Sequence, residues 1–129
     1  MVFGTFDIFH KGHENFLQQA KKQGDFLIVV IARDKTVLAV KKNKPRNSEK
    51  KRLAVVEKSG LADKAILGNL QNKYAIIRKY KPDVIGLGYD QKSFTEELGK
   101  KLKELGLDKT RLVRLKSYYP KKYKSSLLK

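Results

Sequence analysis

Apolar positions in this chain recur with two alternating periods. Val2-Phe3 is a short apolar stub. Over 14–22 the apolar residues Phe16, Leu17 and Ala20 return at helical spacing, and Gly24 closes the pattern. Residues 26–32 are a continuous run, Phe-Leu-Ile-Val-Val-Ile-Ala, which predicts a strand buried on both faces. A polar stretch over 41–47, containing Pro45, leads to a helix predicted over 48–58. Leu53 and Val56 point inward there, and Asn47 or Ser48 supplies the N-cap. Ala65-Ile66-Leu67 predicts a short strand, 74–79 a short helix ahead of Pro82, and 83–88 another strand. A helix is predicted over 95–105, with Leu98, Leu102 and Leu105 facing the core, and a last strand over 112–115. Ser125 or Ser126 then reads as the N-cap of a final helix that is barely begun.

Strand and helix alternate throughout. Parallel strands need crossover connections, so the pattern predicts an α/β fold: a single Rossmann-like parallel sheet of about five strands with helices on both faces. One domain over 1–129 is expected, its first strand and last helix both short. No repeat, low-complexity tract or linker interrupts it. Ligands of such sheets bind beyond the carboxyl ends of the strands, where strand order reverses. The first strand-to-helix loop, Gly4 to His13, is the expected phosphate site.

Composition narrows the chemistry. The chain has 129 residues, 40% of them hydrophobic, and its longest apolar run is too short to span a bilayer. With no cysteine, disulfides, thiolate catalysis and Cys-ligated zinc are excluded. No signal peptide is visible, and a cytoplasmic location is expected. The net charge of +17, from 30 Lys+Arg against 13 Asp+Glu, implies affinity for polyanions. Lysine is scattered along the whole chain, so a generally basic surface explains the charge as well as a dedicated nucleic-acid patch does.

The segment Gly4-Thr5-Phe6-Asp7-Ile8-Phe9-His10-Lys11-Gly12-His13 concentrates the unusual residues. Gly4 permits a tight turn or close backbone approach. The helix that follows presents free N–H groups and a positive dipole end, an anion site. Both histidines of the chain stand here, with Lys11 between them and Gly12 leaving room at the backbone. The two histidines and Asp7 also offer three zinc ligands, although a helix N-terminus favours anions over cations. Asp7 reads as a residue capping the turn through backbone bonds.

GTFDIFHKGH resembles the GxFDxxHxGH signature of the cytidylyltransferase-like nucleotidyltransferases, with every defining position filled. The similarity runs along nearly the whole chain. Ile31-Ala32-Arg33-Asp34 resembles the family's second-strand end, Arg52 a phosphate-binding arginine, and Val84 to Gln91 the fourth-strand segment. Ser125-Ser126-Leu127-Leu128 resembles the Ser/Thr-rich turn opening the last helix. The resemblance implies direct attack of an acceptor phosphate on the α-phosphorus of ATP or CTP, with pyrophosphate leaving. It implies catalytic roles for His10, His13, Lys44 and Arg52. Gly4, Thr5, Phe6, His10, Lys11, Gly12, His13, Asp90, Ser125 and Ser126 would bind the nucleotide. Asp7, Asp34, Lys41 and Lys42 would serve the acceptor or close over the phosphates. Mg²⁺ would accompany the triphosphate, held largely by phosphate oxygens and water, with no metal ligand assigned to the chain. Tyr118, Tyr119 and Tyr123 would line an aromatic pocket or pack under the last helix.

Gly88-Tyr89-Asp90-Gln91, followed by a charged helix, looks most like archaeal-type FAD synthase, which transfers AMP to FMN. A glycerol-3-phosphate cytidylyltransferase-like enzyme is the alternative, although Arg-Thr-Glu-Gly-Ile-Ser, which marks many of those enzymes, is absent near 117–126. A basic nucleic-acid-binding domain, or a nucleotide sensor without catalysis, is the non-enzyme reading. The resemblance also implies a homodimer.

Overall fold

The computed structural model describes residues 1–69, 74–88, 92–107 and 109–115, with the backbone alone at 40, 41 and 92–96. The elements run β1 (Val2–Gly4), α1 (Lys11–Lys21), β2 (Ile28–Ile31), α2 (Asp34–Lys41), α3 (Glu49–Ser59), β3 (Lys64–Leu67), α4 (Tyr74–Tyr80), β4 (Val84–Leu87), α5 (Lys92–Glu104) and β5 (Arg111–Arg114). The strands form one five-stranded sheet in the order β3-β2-β1-β4-β5. Every pairing is parallel, as the alternation of elements requires.

The two faces of the sheet carry separate cores because successive strand side chains point in opposite directions. Val29 and Ile31 of β2 pack with Val2, Leu17 and Ala20 of α1, and Val56 of α3. Val30 of β2 packs on the other face with Ile85 and Leu87 of β4, Ile77 of α4, and Leu98 and Leu102 of α5. The crossovers from β1 to β3 thus lie on one face, and those from β3 to β5 on the other. The change of face falls where strand order reverses, between β1 and β4. Gly86 is needed in β4, since a Cβ there would stand 2.9 Å from Val2 Cγ1 and 3.1 Å from Leu115 Cδ1.

Several boundaries differ from the periodic reading. Helix α1 begins at Lys11 instead of residue 14, because the His10 side chain caps it by accepting the Gly12 N–H. Phe26 lies outside β2 and is 61% exposed, so the buried part of the apolar run starts at Leu27. Helix α2 was not expected at all, and Lys41 ends it instead of standing on a loop. Ser48 caps α3 by accepting the Lys51 N–H, and Gly60 closes it with a left-handed φ of 72°. Helix α5 starts three residues before 95, and Leu105 lies past its end. The final helix expected at Ser125 or Ser126 lies outside the described residues. No helix among the described residues is long and apolar enough to cross a membrane.

Candidate active site

The carboxyl end of β1 runs into a short loop whose shape is set by Phe6. Phe6 has a φ of 53°, a left-handed conformation that costs a bulky residue on the order of 1–3 kcal/mol. The strain is offset by burial: the ring is 4% exposed and packs against Phe9, Phe16 and His13. That reversal folds the ring back over Gly4, where an added Cβ would meet it.

The loop delivers two imidazoles to one helix end. His10 is the N-cap of α1, and His13 lies three residues on, on the same face of the first turn. Their rings stack with centroids 4.0 Å apart and planes 24° apart. Phe6 meets His13 edge-on at 5.3 Å, and Phe9 lies against it at 5.6 Å, so an aromatic wall fixes the pair from behind. His10 Nδ1 accepts the Gly12 N–H at 2.9 Å. The neutral ring therefore carries its proton on Nε2, an atom buried in this structure. Burial lowers the pKa of His10 below its ordinary 6.5, favouring that neutral form. A helix N-terminus flanked by stacked imidazole donors can steady negative charge on phosphate oxygens.

Beside this lies a charge network built around one buried arginine. Arg52 of α3 is fully buried. Its Nε donates to the Asn47 carbonyl at 3.1 Å, and its Nη1 to the carbonyls of Thr5 at 2.9 Å and Ala32 at 2.8 Å. Its Nη2 donates to Asp34 Oδ1 at 2.6 Å. Asp34 and Glu49 cap each other's helices: the Asp34 N–H donates to Glu49 Oε1, and the Glu49 N–H to Asp34 Oδ2. Arg33 spans from Glu49 Oε2 to the Gly68 carbonyl, 2.8 Å each, linking the ends of β2 and β3. The Asp34 N–H, then the Arg33 guanidinium, hold the Glu49 carboxyl below its usual range. Asp7, 7% exposed, accepts the backbone N–H groups of Arg46 at 2.8 Å and Asn47 at 2.9 Å.

The structure brings Gly4, Thr5, Phe6, Asp7, His10, Gly12 and His13 into one corner, with Lys11 exposed as the first residue of α1. Lys42 and Lys44 are exposed on the segment leaving α2, while the side chain of Lys41 lies outside the described set. Arg52 stands beneath the corner and donates to protein acceptors. The carboxylates of Asp7 and Asp34 meet protein donors in the same way. Asp90, Ser125 and Ser126 lie outside the described residues, as do Tyr118, Tyr119 and Tyr123. Sequence reasoning gave no site role to Arg33, Asn47 or Glu49, and Asn47 was read only as the alternative N-cap of α3, a place Ser48 takes. The Ser48-Glu49 start of α3 was a visible capping signal, whereas nothing local announced the bond from Arg33 to Gly68.

A family model described as cytidylyltransferase-like matches residues 1–129. A FAD synthase of Archaeoglobus profundus is 46% identical over 123 residues, covering 95% of this chain and 77% of that protein. A FAD synthase of Methanosarcina mazei is 48% identical over 107 residues, covering 83% of this chain and 70% of that protein. Among solved structures, a lipopolysaccharide core biosynthesis protein from Thermoplasma volcanium superposes with a TM-score of 0.85 at 41% identity, covering 92% of this chain and 95% of its own. An Archaeoglobus fulgidus protein with unknown function shares the fold at a TM-score of 0.73 and 18% identity, over 89% of this chain and 87% of its own.

Proposed function

The chain belongs to the cytidylyltransferase-like nucleotidyltransferases, and from that premise we propose that it transfers AMP from ATP to the phosphate of FMN, releasing pyrophosphate. The observation that carries this reading is the imidazole pair His10 and His13, stacked at the N-terminus of α1 beyond the carboxyl end of β1. The named FAD synthase relatives at 42–48% identity supply the acceptor.

The reaction needs no covalent enzyme intermediate. A phosphate oxygen of FMN attacks the α-phosphorus, and the bond from that phosphorus to the bridging oxygen of pyrophosphate breaks. Negative charge builds on the bridging and non-bridging oxygens. His10 Nε2–H and the His13 ring donate to them. The backbone at Thr5, Phe6 and Lys11 cradles the phosphates, Gly12 keeps its N–H on His10 Nδ1, and Lys42 and Lys44 close over the phosphates. The resemblance adds Lys41, Asp90, Ser125 and Ser126 to this set. Catalysis is then positioning plus preorganised charge stabilisation.

Among the described residues, no group of three or more His, Asp or Glu is placed to hold a metal ion. Mg²⁺ would accompany the triphosphate, held by phosphate oxygens and water, and would neutralise charge there.

The test is pyrophosphate release by the pure protein with Mg²⁺ and either ATP or CTP, against FMN, glycerol-3-phosphate, phosphocholine and phosphopantetheine. Turnover with ATP and FMN alone is expected. Turnover with CTP and glycerol-3-phosphate instead would replace the acceptor and base. No turnover with any pair, alongside RNA binding that weakens steeply with salt, would overturn the enzyme reading.

A further inference from the structure

Asp7 and Arg52 both bond the backbone of Asn47, and Asp7 also bonds that of Arg46. Asp7, in the loop that carries His10, takes the Arg46 and Asn47 N–H groups on separate carboxylate oxygens. The Asn47 side-chain amide returns a bond to the Asp7 carbonyl at 2.5 Å. Arg52 donates to the Asn47 carbonyl and, with the same guanidinium, to the Thr5 carbonyl of the His10 loop. Both charged side chains are buried, at 7% and 0% exposure. Burying a charge is expensive unless every partner is supplied. An ordinary surface connection needs no such fastening.

The connection so fastened is strongly basic. Between α2 and α3 it carries Lys42, Lys44 and Arg46, all exposed, and no acidic residue. Like charges this close repel one another, so a free segment of this composition would splay into solvent. Instead its base is tied to the loop that ends at His10. Arg46 has the shortest tether of the three, since its own N–H lies 2.8 Å from Asp7 Oδ2 while its side chain remains exposed.

We propose that Asp7 and Arg52 are positioning residues that preset the basic connection 42–47 beside the imidazole pair, and that Arg46 is the triphosphate-contacting group they place. This rests on the nucleotide-binding reading above. Arg46 supplies a planar fork suited to two phosphate oxygens at once, which a lysine cannot match. Asp7 and Arg52 act on the nucleotide only through the segment they hold.

The experiment combines amide exchange at Arg46 and Asn47 in the nucleotide-free protein with Mg-ATP affinity across a salt series. Asp7→Asn keeps the shape but replaces one acceptor oxygen with a donor. It should speed exchange at 46 and 47 on the order of tenfold or more, leave β2 amides protected, and weaken Mg-ATP about tenfold. Arg52→Lys keeps the charge but cannot span the four acceptors, and should give the same signature. Arg46→Gln should leave exchange at 46 and 47 as in wild type, weaken Mg-ATP about tenfold and flatten its salt dependence. The Asp7→Asn/Arg46→Gln double variant should bind about as Asp7→Asn does, because both act through one contact. Weakened Mg-ATP with amides 46 and 47 still protected in Asp7→Asn would overturn the positioning role. Wild-type affinity in Arg46→Gln at low salt would overturn the assignment of Arg46. If the wild-type protein binds no nucleotide, the function proposed above falls together with the role of Arg46, and the exchange data still decide the clamp.

Discussion

The ring of Phe6 lies so close to Gly4 that a Cβ at Gly4 would stand 2.7 Å from its Cε2 and 2.9 Å from its Cζ. The same ring supports His13 edge-on, so the glycine sets the height of the imidazole through an intervening aromatic. Gly4→Ala should therefore push Phe6 outward and tilt His13 with it. The expected result is a stability loss of about 1–3 kcal/mol and turnover lowered about tenfold or more. Gly24→Ala is the control, since a Cβ there meets nothing within 4 Å. Thermal unfolding and pyrophosphate release on the two variants check this, and equal behaviour of both would remove the argument.

His10 holds two jobs that substitution can separate. Its Nδ1 caps α1, and in the proposed reaction its Nε2–H donates to phosphate. His10→Ala should lose both: about 1 kcal/mol of stability for the cap and ~10²-fold in turnover for the donor. His10→Asn restores a good N-cap and should recover the stability while turnover stays low. His13→Ala should cut turnover by ~10²-fold with no capping loss. Near-wild-type rates in both alanine variants would contradict the assigned roles.

The fold was legible because both faces of the sheet are buried, which turns β2 and β4 into continuous apolar runs that read clearly from sequence. Helix α2 was not legible for the opposite reason. Among its described side chains Val37 is buried while Leu38 and Ala39 are exposed, so its apolar residues do not all share one buried face. At the site, the histidines and Gly12 declared themselves by their spacing. The burial of Arg52 did not, since arginine is almost never fully buried and nothing local reveals acceptors 18 to 47 residues away in sequence. Asp7 was read as a residue that caps by backbone bonds, and it does bond backbone, but 39 and 40 residues away.

The lowered pKa of His10 gives nucleotide binding a proton signature. In the free protein burial keeps the ring neutral below its ordinary 6.5. Phosphate anions beside it favour the charged form and raise the pKa in the complex. Binding should therefore take up protons between the lowered value of the free protein and the raised value of the complex, the proton entering at Nδ1 at the expense of the Gly12 cap, and Mg-ATP affinity should rise as pH falls through that interval. Calorimetry in buffers of different ionisation enthalpy measures the uptake. His10→Asn should abolish the part due to this ring, and unchanged uptake in that variant would place the proton elsewhere.

Glu49 gives the acid limb of stability its sign. The Asp34 N–H and the Arg33 guanidinium hold its carboxyl below the ordinary 4.5. A carboxyl with a depressed folded-state pKa binds fewer protons folded than unfolded. The stability it contributes is thus present above about pH 4.5 and is lost as pH falls from there through the folded value. Glu49→Gln keeps an oxygen to accept the Asp34 N–H but removes the charge facing Arg33, so its unfolding free energy should fall less steeply with acid. At neutral pH the variant should be weaker by no more than about 1 kcal/mol, because the Arg33–Glu49 pair is partly solvated. The two denaturation curves should converge as pH falls through the lowered folded value, where the wild-type carboxylate is itself protonating. Curves that stay parallel from neutral pH to acid would mean that the bridge between the starts of α2 and α3 does not rest on the charge of Glu49.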